Sequence, residues 1–249
     1  MQGMVAHTDF AYGPLYKRVK MLLTQSLAAG AWKPSEAIPS ETRLADQFNV
    51  SIGTVRKAID ELVAEKILVR QQGRGTFVAS HTEDRFLFHF FHIVGEDGAK
   101  QFPVAELLEF RKERAEPDLA ERLGLARGGR VIHIRNVLHL QERPIQVDDI
   151  YISALTFPGL TREMFANRLG TIYQLYQDHF GINIIRTSER LRAAAATETD
   201  GKVLGTPAGA PVLQIDRTAF TFNDIPVEVR KSHVNTAHHV YLNDLDRIP

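Results

Sequence analysis

Cysteine is absent from this chain of 249 residues, which excludes a disulfide framework, thiolate metal sites and cysteine nucleophiles. No apolar run approaches the roughly 20 residues that a bilayer-spanning helix needs, and residues 1–12 lack the basic-then-apolar build of a signal peptide. A cytoplasmic protein without membrane contact is the expectation. A net charge is missing too, because Lys and Arg number 30 and so do Asp and Glu. Ten histidines remain as metal candidates, yet His89 with His92, and His238 with His239, have no carboxylate or cysteine at ligand spacing. We expect no metal site and no cofactor.

What is present is a chain 44% hydrophobic and 24% charged, the composition of a globular protein long enough for two domains with proper cores. Its charge is uneven along the length. The first 80 residues carry ten Lys and Arg against seven Asp and Glu, and the remainder carries 20 against 23. A weakly basic N-terminal part fits phosphate contacts, and a solvated face would explain it as well.

Periodicity resolves that part into helices. Leu15, Val19, Leu22, Leu23 and Leu27 fall on one side of a helix that Gly30 and Pro34 close. Ser40 can cap a short second helix whose buried side is Leu44, Ala45 and Phe48, with Asn49 placed for a left-handed stop. Ser51 then caps a third. Its apolar stripe of Val55, Ala58, Ile59, Leu62 and Val63 leaves Ile52, Gly53, Thr54, Arg56, Lys57 and Asp60 facing away from the core. Two short strands follow, 67–70 and 76–78, with Gly73 and Gly75 at the reversal.

That order is a winged helix-turn-helix. Its second helix of the turn would present Ser51, Thr54, Arg56 and Lys57 to the major groove. The wing would carry Gln72, Gly73 and Arg74 toward the adjoining groove or backbone. A Gly-rich phosphate cradle is the competing reading of Gly73-Arg74-Gly75. It lacks the GK[ST] ending and lies in a hairpin instead of between strand and helix.

The matching residues are Leu15-Tyr16, Lys33-Pro34, the run from Leu44 to Ser51, Thr54 to Ala58, and Gln72 to Val78. With them the segment resembles the DNA-binding domain of the GntR family of bacterial transcriptional regulators. The resemblance adds Thr42 and Arg43 to the DNA-binding candidates and makes Arg56 a DNA-contacting position. Thr42 departs from the arginine that many members carry there, which leaves open which bases are read.

Beyond a short polar linker the chain turns strand-rich. Phe86, Phe88 and Phe90 alternate with Leu87, His89 and Phe91, which predicts a strand. Residues 104–114 fit helix or strand by propensity. An internal duplication follows: residues 123–134 resemble 204–215, and each is followed by a strand, a turn, a proline and another strand, the turns being Gln141 to Pro144 and Asn223 to Pro226. Two helix-plus-hairpin units imply one antiparallel sheet with helices packed on it. A further helix is expected over 171–180, ended by Gly181.

Arg135, Pro144-Ile145, the run from Phe157 to Leu160, the region from Tyr176 to Ile184, and Pro226 to Glu228 make this half similar to the UTRA domain. That is the effector-binding module of the HutC-like branch, with a chorismate-lyase-like fold. The resemblance implies an α+β architecture throughout, and an extended segment over 104–114. The domain limits expected are a flexible arm over 1–13, a winged helix-turn-helix over 14–79, a linker over 80–85 and a UTRA domain over 86–249.

It also implies a small-molecule effector held by Arg135, Asp148, Arg186, Glu228 and Arg230. The arginine pair of many members would fall at Asn136 and Leu138, and its absence argues against a phosphosugar and toward an organic acid or another anion. The function expected is a transcriptional repressor working as a homodimer on a palindromic operator of double-stranded DNA, with no catalytic residues. A metabolite sensor without DNA function, or a lyase-like enzyme, is the alternative.

Overall fold

The computed structural model describes residues 14–81 and 89–243, and the chain divides into two compact units, Met1–Ser80 and His81–Pro249.

In the first unit α1 (Leu15–Ala28), α2 (Glu41–Phe48) and α3 (Ile52–Ala64) precede a hairpin of β1 (Leu68–Gln71) and β2 (Gly75–Val78). Val19, Leu23 and Leu27 are buried, whereas Leu15 and Leu22 are exposed, so the apolar face of α1 is narrower than its leucine spacing suggests. Val55, Ala58, Ile59 and Leu62 are sealed against it. Burial of side chains of the Val, Leu and Ile kind contributes about 1.5–3 kcal/mol each. Asn49 takes the left-handed conformation, φ 52°, and stops α2. Gln71 pairs with Gly75, leaving a three-residue tip in which Gly73 has φ 71°. The strands sit one residue from the limits read in the sequence.

The second unit is built on a six-stranded antiparallel sheet: β4 (Val104–Arg114), β5 (Arg130–Leu140), β6 (Arg143–Ser153), β7 (Arg186–Ala195), β8 (Pro211–Phe220) and β9 (Pro226–Val234). Their order across the sheet is β4-β5-β6-β9-β8-β7. Helix α4 (Pro117–Arg122) joins β4 to β5, and the helix α7 (Glu198–Leu204) joins β7 to β8. The duplication is therefore larger than the sequence suggested, a strand, a helix and a hairpin in each copy. Both hairpin turns use two residues with positive φ, Gln141 and Glu142 in one, Asn223 and Asp224 in the other. Equivalent residues Asp149 and Lys231 face each other in the β6–β9 ladder, which puts an approximate two-fold axis between the copies.

Side chains alternate across this sheet. One face carries Ile132, Ile134, Leu138, Ile150 and Ile152, packed under α5 (Arg162–Ala166) and α6 (Ile172–Phe180) with Phe165, Tyr173 and Tyr176. Thr171 caps α6 and Gly181 ends it. A small ladder of β3 (Ile93–Gly95) and β10 (His239–Tyr241) lies beside this core. The strand expected over 86–91 is corrected where it can be seen: His89 is helical, Phe90 is in a turn, and Phe90 and Phe91 are both buried. Adjacent residues buried together suit a turn against a core, not a pleat with one face in water. Residues 86–88, like the arm over 1–13 and most of the linker, lie outside the described residues.

Candidate DNA-reading surface and effector cavity

Ser51 opens α3. Its Oγ accepts the Thr54 amide at 3.2 Å and lies 2.8 Å from Thr54 Oγ1, which satisfies one of the orphan donors of the first turn. The buried stripe points Ser51, Arg56 and Lys57 to solvent, with Thr54 half-buried. Thr42 and Arg43 are exposed in the first turn of α2, where the Arg43 amide donates to Ser40 Oγ at 3.3 Å. Gln72, Gly73 and Arg74 form the exposed tip of the wing, and Arg74 approaches the Phe77 ring, 5.8 Å from its centroid. The nine candidates thus lie at the surface of one unit.

Two neighbours escaped the sequence reading. Glu41 accepts Arg56 Nε at 2.8 Å and Arg70 Nη2 at 3.1 Å, and Arg70 also lies 2.7 Å from Asp60 Oδ1. Arg56 is thereby held through Nε, and its two terminal nitrogens have no protein partner among the described residues. Lys57 Nζ sits 4.2 Å from the centre of the Tyr16 ring. No periodic signal announces Glu41, because the helix crossing brings it to Arg56 from 15 residues away.

In the second unit a cavity of about 260 Å³ opens between the sheet and the loop joining α5 to α6. That is small against the roughly 300–1,000 Å³ of drug-sized sites. Asn136 and Asp148 face each other in the β5–β6 register at positions where the same strands otherwise place Ile134, Leu138 and Ile150. Arg230 enters opposite Ile150 from β9, and Arg168 from the loop. Fully buried Asp148 accepts Ser232 Oγ at 2.6 Å and Gln146 Nε2 at 2.7 Å on Oδ1, but only contacts of 3.5 Å from Asn136 Nδ2 and Arg230 Nη1 reach Oδ2. Arg168 Nη1 donates to the Phe165 carbonyl at 2.6 Å and its guanidinium covers the Phe165 ring at 4.3 Å. Burial, with Arg230 adding like charge, pulls its pKa below the ordinary guanidinium value.

Of the five effector candidates, Asp148 and Arg230 line the cavity. Glu228 is fully buried below them, accepting Arg230 Nε at 3.0 Å and the hydroxyls of Tyr173 and Tyr176 at 3.2 and 2.8 Å. Arg135 is not brought there. It is one residue from Asn136 and so points to the opposite face, where it bonds Asp149 at 2.6 Å and also Asp200. Arg186 is exposed on the edge strand, 2.8 Å from Asp224 and stacked on Phe220. Asn136 and Arg168 are the lining residues that were missed. A polar residue in an inward slot of an apolar strand was a usable signal for Asn136; nothing in the pattern singles out Arg168. Among the described residues no group of three potential ligands could hold a metal, and no helix is long and apolar enough to cross a membrane.

The cluster on the opposite face makes the second unit sensitive to acid. Burial alone would raise the carboxyls of Asp149 and Asp200. Hydrogen bonds from His133 to Asp149, and from Thr197 and His233 to Asp200, with Arg135 beside both, win and hold them below the usual range. A depressed carboxyl contributes stability above its unfolded value and loses it as pH falls through the folded one. Burial holds His92 below the ordinary imidazole value, so its contribution falls as pH drops below about 6.5. Calorimetry against pH should show a mild loss starting near 6.5 and a steep one below about 4. Asp149→Asn should flatten the second, and an unchanged slope would count against this account.

A helix-turn-helix with a glycine-tipped wing, joined to a helix-covered sheet holding a small polar cavity, defines a DNA-binding regulator with a ligand-binding domain. Residues 15–78 match the bacterial regulatory proteins of the gntR family, and residues 99–239 match the UTRA domain. The chain belongs to the GntR family of transcriptional regulators, in its UTRA-bearing branch, and is not an enzyme. Members of this family bind DNA and small-molecule effectors. It is 31% identical over 231 residues to an Escherichia coli K12 protein named "Probable fructoselysine utilization operon transcriptional repressor", covering 91% of this chain and 92% of that one. The histidine utilization repressor of Pseudomonas aeruginosa is 29% identical over 228 residues, 90% of this chain and 89% of the relative. Among solved structures, the ligand-binding domain of a regulator assigned to the GntR family in Bordetella bronchiseptica superposes with a TM-score of 0.60 at 33% identity, over 64% of this chain and 99% of that one.

Proposed function

We propose that this protein is a cytoplasmic transcriptional repressor. In this reading two copies grip a palindromic operator, and a small effector that carries an anionic group enters the second unit's cavity and loosens the grip. The observation that carries the DNA half is the set of side chains exposed at the start of α3, Ser51, Arg56 and Lys57, in the same unit as the exposed wing tip. Backbone amides at that helix start and the hydroxyls of Ser51 and Thr54 suit phosphates, while Arg56 reaches base edges. Thr42, Arg43, Gln72, Gly73 and Arg74 extend the contact.

A two-fold dimer would set two such helices about 34–36 Å apart, one turn of duplex. On the effector side Asp148 and Arg230 are direct contacts and Glu228 supports Arg230. A coupling of roughly 1–3 kcal/mol between effector and operator suffices for control. Fluorescence anisotropy with the promoter fragment beside its own gene tests this at graded salt. Tight, salt-dependent binding with a half-site spacing of one turn is expected. Affinity no better than for an unrelated duplex would end the repressor reading.

A further inference from the structure

Three buried polar side-chain atoms without a hydrogen-bond partner belong to residues lining this cavity: Asn136 Oδ1, Arg168 Nε and Arg230 Nη2. Buried polar groups are nearly always satisfied, so a cluster of unsatisfied ones marks a place where another molecule supplies the partner. The orphans sort by kind. Arg168 and Arg230 offer donors, and Arg230 Nη2 lies 2.8 Å from Glu228 Oε1 without the alignment of a hydrogen bond. Asn136 Oδ1, with the loosely served Asp148 Oδ2, offers acceptors. The Asn136 amide orientation is fixed by this neighbour, since turning it over would set its oxygen against the carboxylate.

Charge narrows the choice further. The cations Arg168 and Arg230 are matched by the carboxylates Asp148 and Glu228, so the lining and its support sum to zero. A phosphate dianion would bring uncompensated negative charge beside a fully buried carboxylate, at the cost of desolvation without pairing. A plain carboxylate would satisfy the arginines and leave the two acceptors bare. A neutral sugar would leave Arg168 without a counter-charge in a site that already lowers its basicity.

We infer that the ligand of this cavity is a small amino-acid-like zwitterion, with its carboxylate on Arg168 and Arg230 and its protonated nitrogen on Asn136 and Asp148. This rests on the reading of the cavity as the effector site and specifies what enters it. The size agrees, because about 260 Å³ suits a molecule smaller than a typical drug. Asp148 and Arg230, one at each polar end, are equivalent positions of the duplication carrying opposite charge. Arg217, the equivalent of Asn136, is spent on Glu189 at 2.6 Å and does not line the cavity.

The test uses the full chain, thermal shift and titration calorimetry. The probes are the common amino acids and γ-aminobutyrate, each binder being repeated as its carboxyl amide and as its N-acetyl derivative. Propionate and glucose 6-phosphate serve as a plain carboxylate and a phosphosugar. At least one zwitterion should bind at millimolar concentration or better, and both capped forms should lose tenfold or more. Arg168→Gln should also lose tenfold or more for the zwitterion and for its N-acetyl form, but change little for the amide.

Failure of every zwitterion to bind, equal binding by a capped form, or tighter binding by propionate or glucose 6-phosphate overturns the assignment. The effector reading fails separately. A phosphosugar that binds, releases operator and needs Arg168 would leave that reading standing and sink only the zwitterion. A zwitterion that binds without changing operator affinity would do the reverse.

Discussion

Glu228→Ala is expected to lower the melting temperature of the second unit by roughly 6–20 °C, the largest effect of any single change considered for this chain. The carboxylate is fully buried and is the acceptor for Arg230 Nε and for the hydroxyls of Tyr173 and Tyr176. Burial first, and then the charge of Glu228, push the Tyr173 hydroxyl up to about 12, so it keeps at neutral pH the proton it donates to Glu228. Truncation leaves a guanidinium and two hydroxyls without their acceptor. Breaking a buried pair from one side costs about 3–5 kcal/mol, and each kilocalorie is worth about 2–4 °C in a domain of this size.

Glu228→Gln keeps the shape and one acceptor oxygen and should fall in between. Trp32, the single tryptophan, belongs to the first unit, so its fluorescence follows that unit while calorimetry follows both. A calorimetric shift under about 2 °C for the alanine variant would mean that Arg230 does not depend on Glu228.

Arg56→Ala should weaken operator binding by about 1–3 kcal/mol, roughly five- to 150-fold. Two outcomes agree with the site. Relaxed discrimination at one base pair identifies a base-edge contact, and a salt slope reduced by about 1 identifies a phosphate contact. Unchanged affinity and unchanged slope would remove Arg56 from the interface. Glu41→Ala should act in the same direction but more weakly, because an ion pair with Arg56 59% exposed is worth about 0.2–1 kcal/mol. Its loss frees the guanidinium without deleting it.

The first unit was almost fully legible in its sequence, for a physical reason. Ser40, Asn49, Ser51 and Gly73 each act within a few residues of themselves, through caps and positive φ angles that nearest neighbours determine. What escaped there, Glu41 holding Arg56, depends on how α2 crosses α3. In the second unit the duplicated hairpins could be read, because turn chemistry repeats. The outer strands β4 and β7 could not be matched, since their residues share neither pattern nor turn.

Alternation decides where the effector candidates went. Arg135 and Asn136 are neighbours in the chain, and the pleat sends one to the helix-borne Asp200 and the other to the cavity. Arg168 was invisible because it enters from a loop, where no period applies. Phe90 and Phe91 misled by their spacing: a row of aromatics reads as pleated until the chain turns and buries two in succession.

The approximate two-fold axis between β6 and β9 makes the middle of the second unit a seam between siblings that have drifted apart in sign. With acid on one sibling and base on the other, whatever lodges against both Asp148 and Arg230 acts as a rivet across the join. A guest that fits only one sibling would leave the join as free to flex as when empty. Tightness of fit and mechanical consequence would then be the same property measured twice.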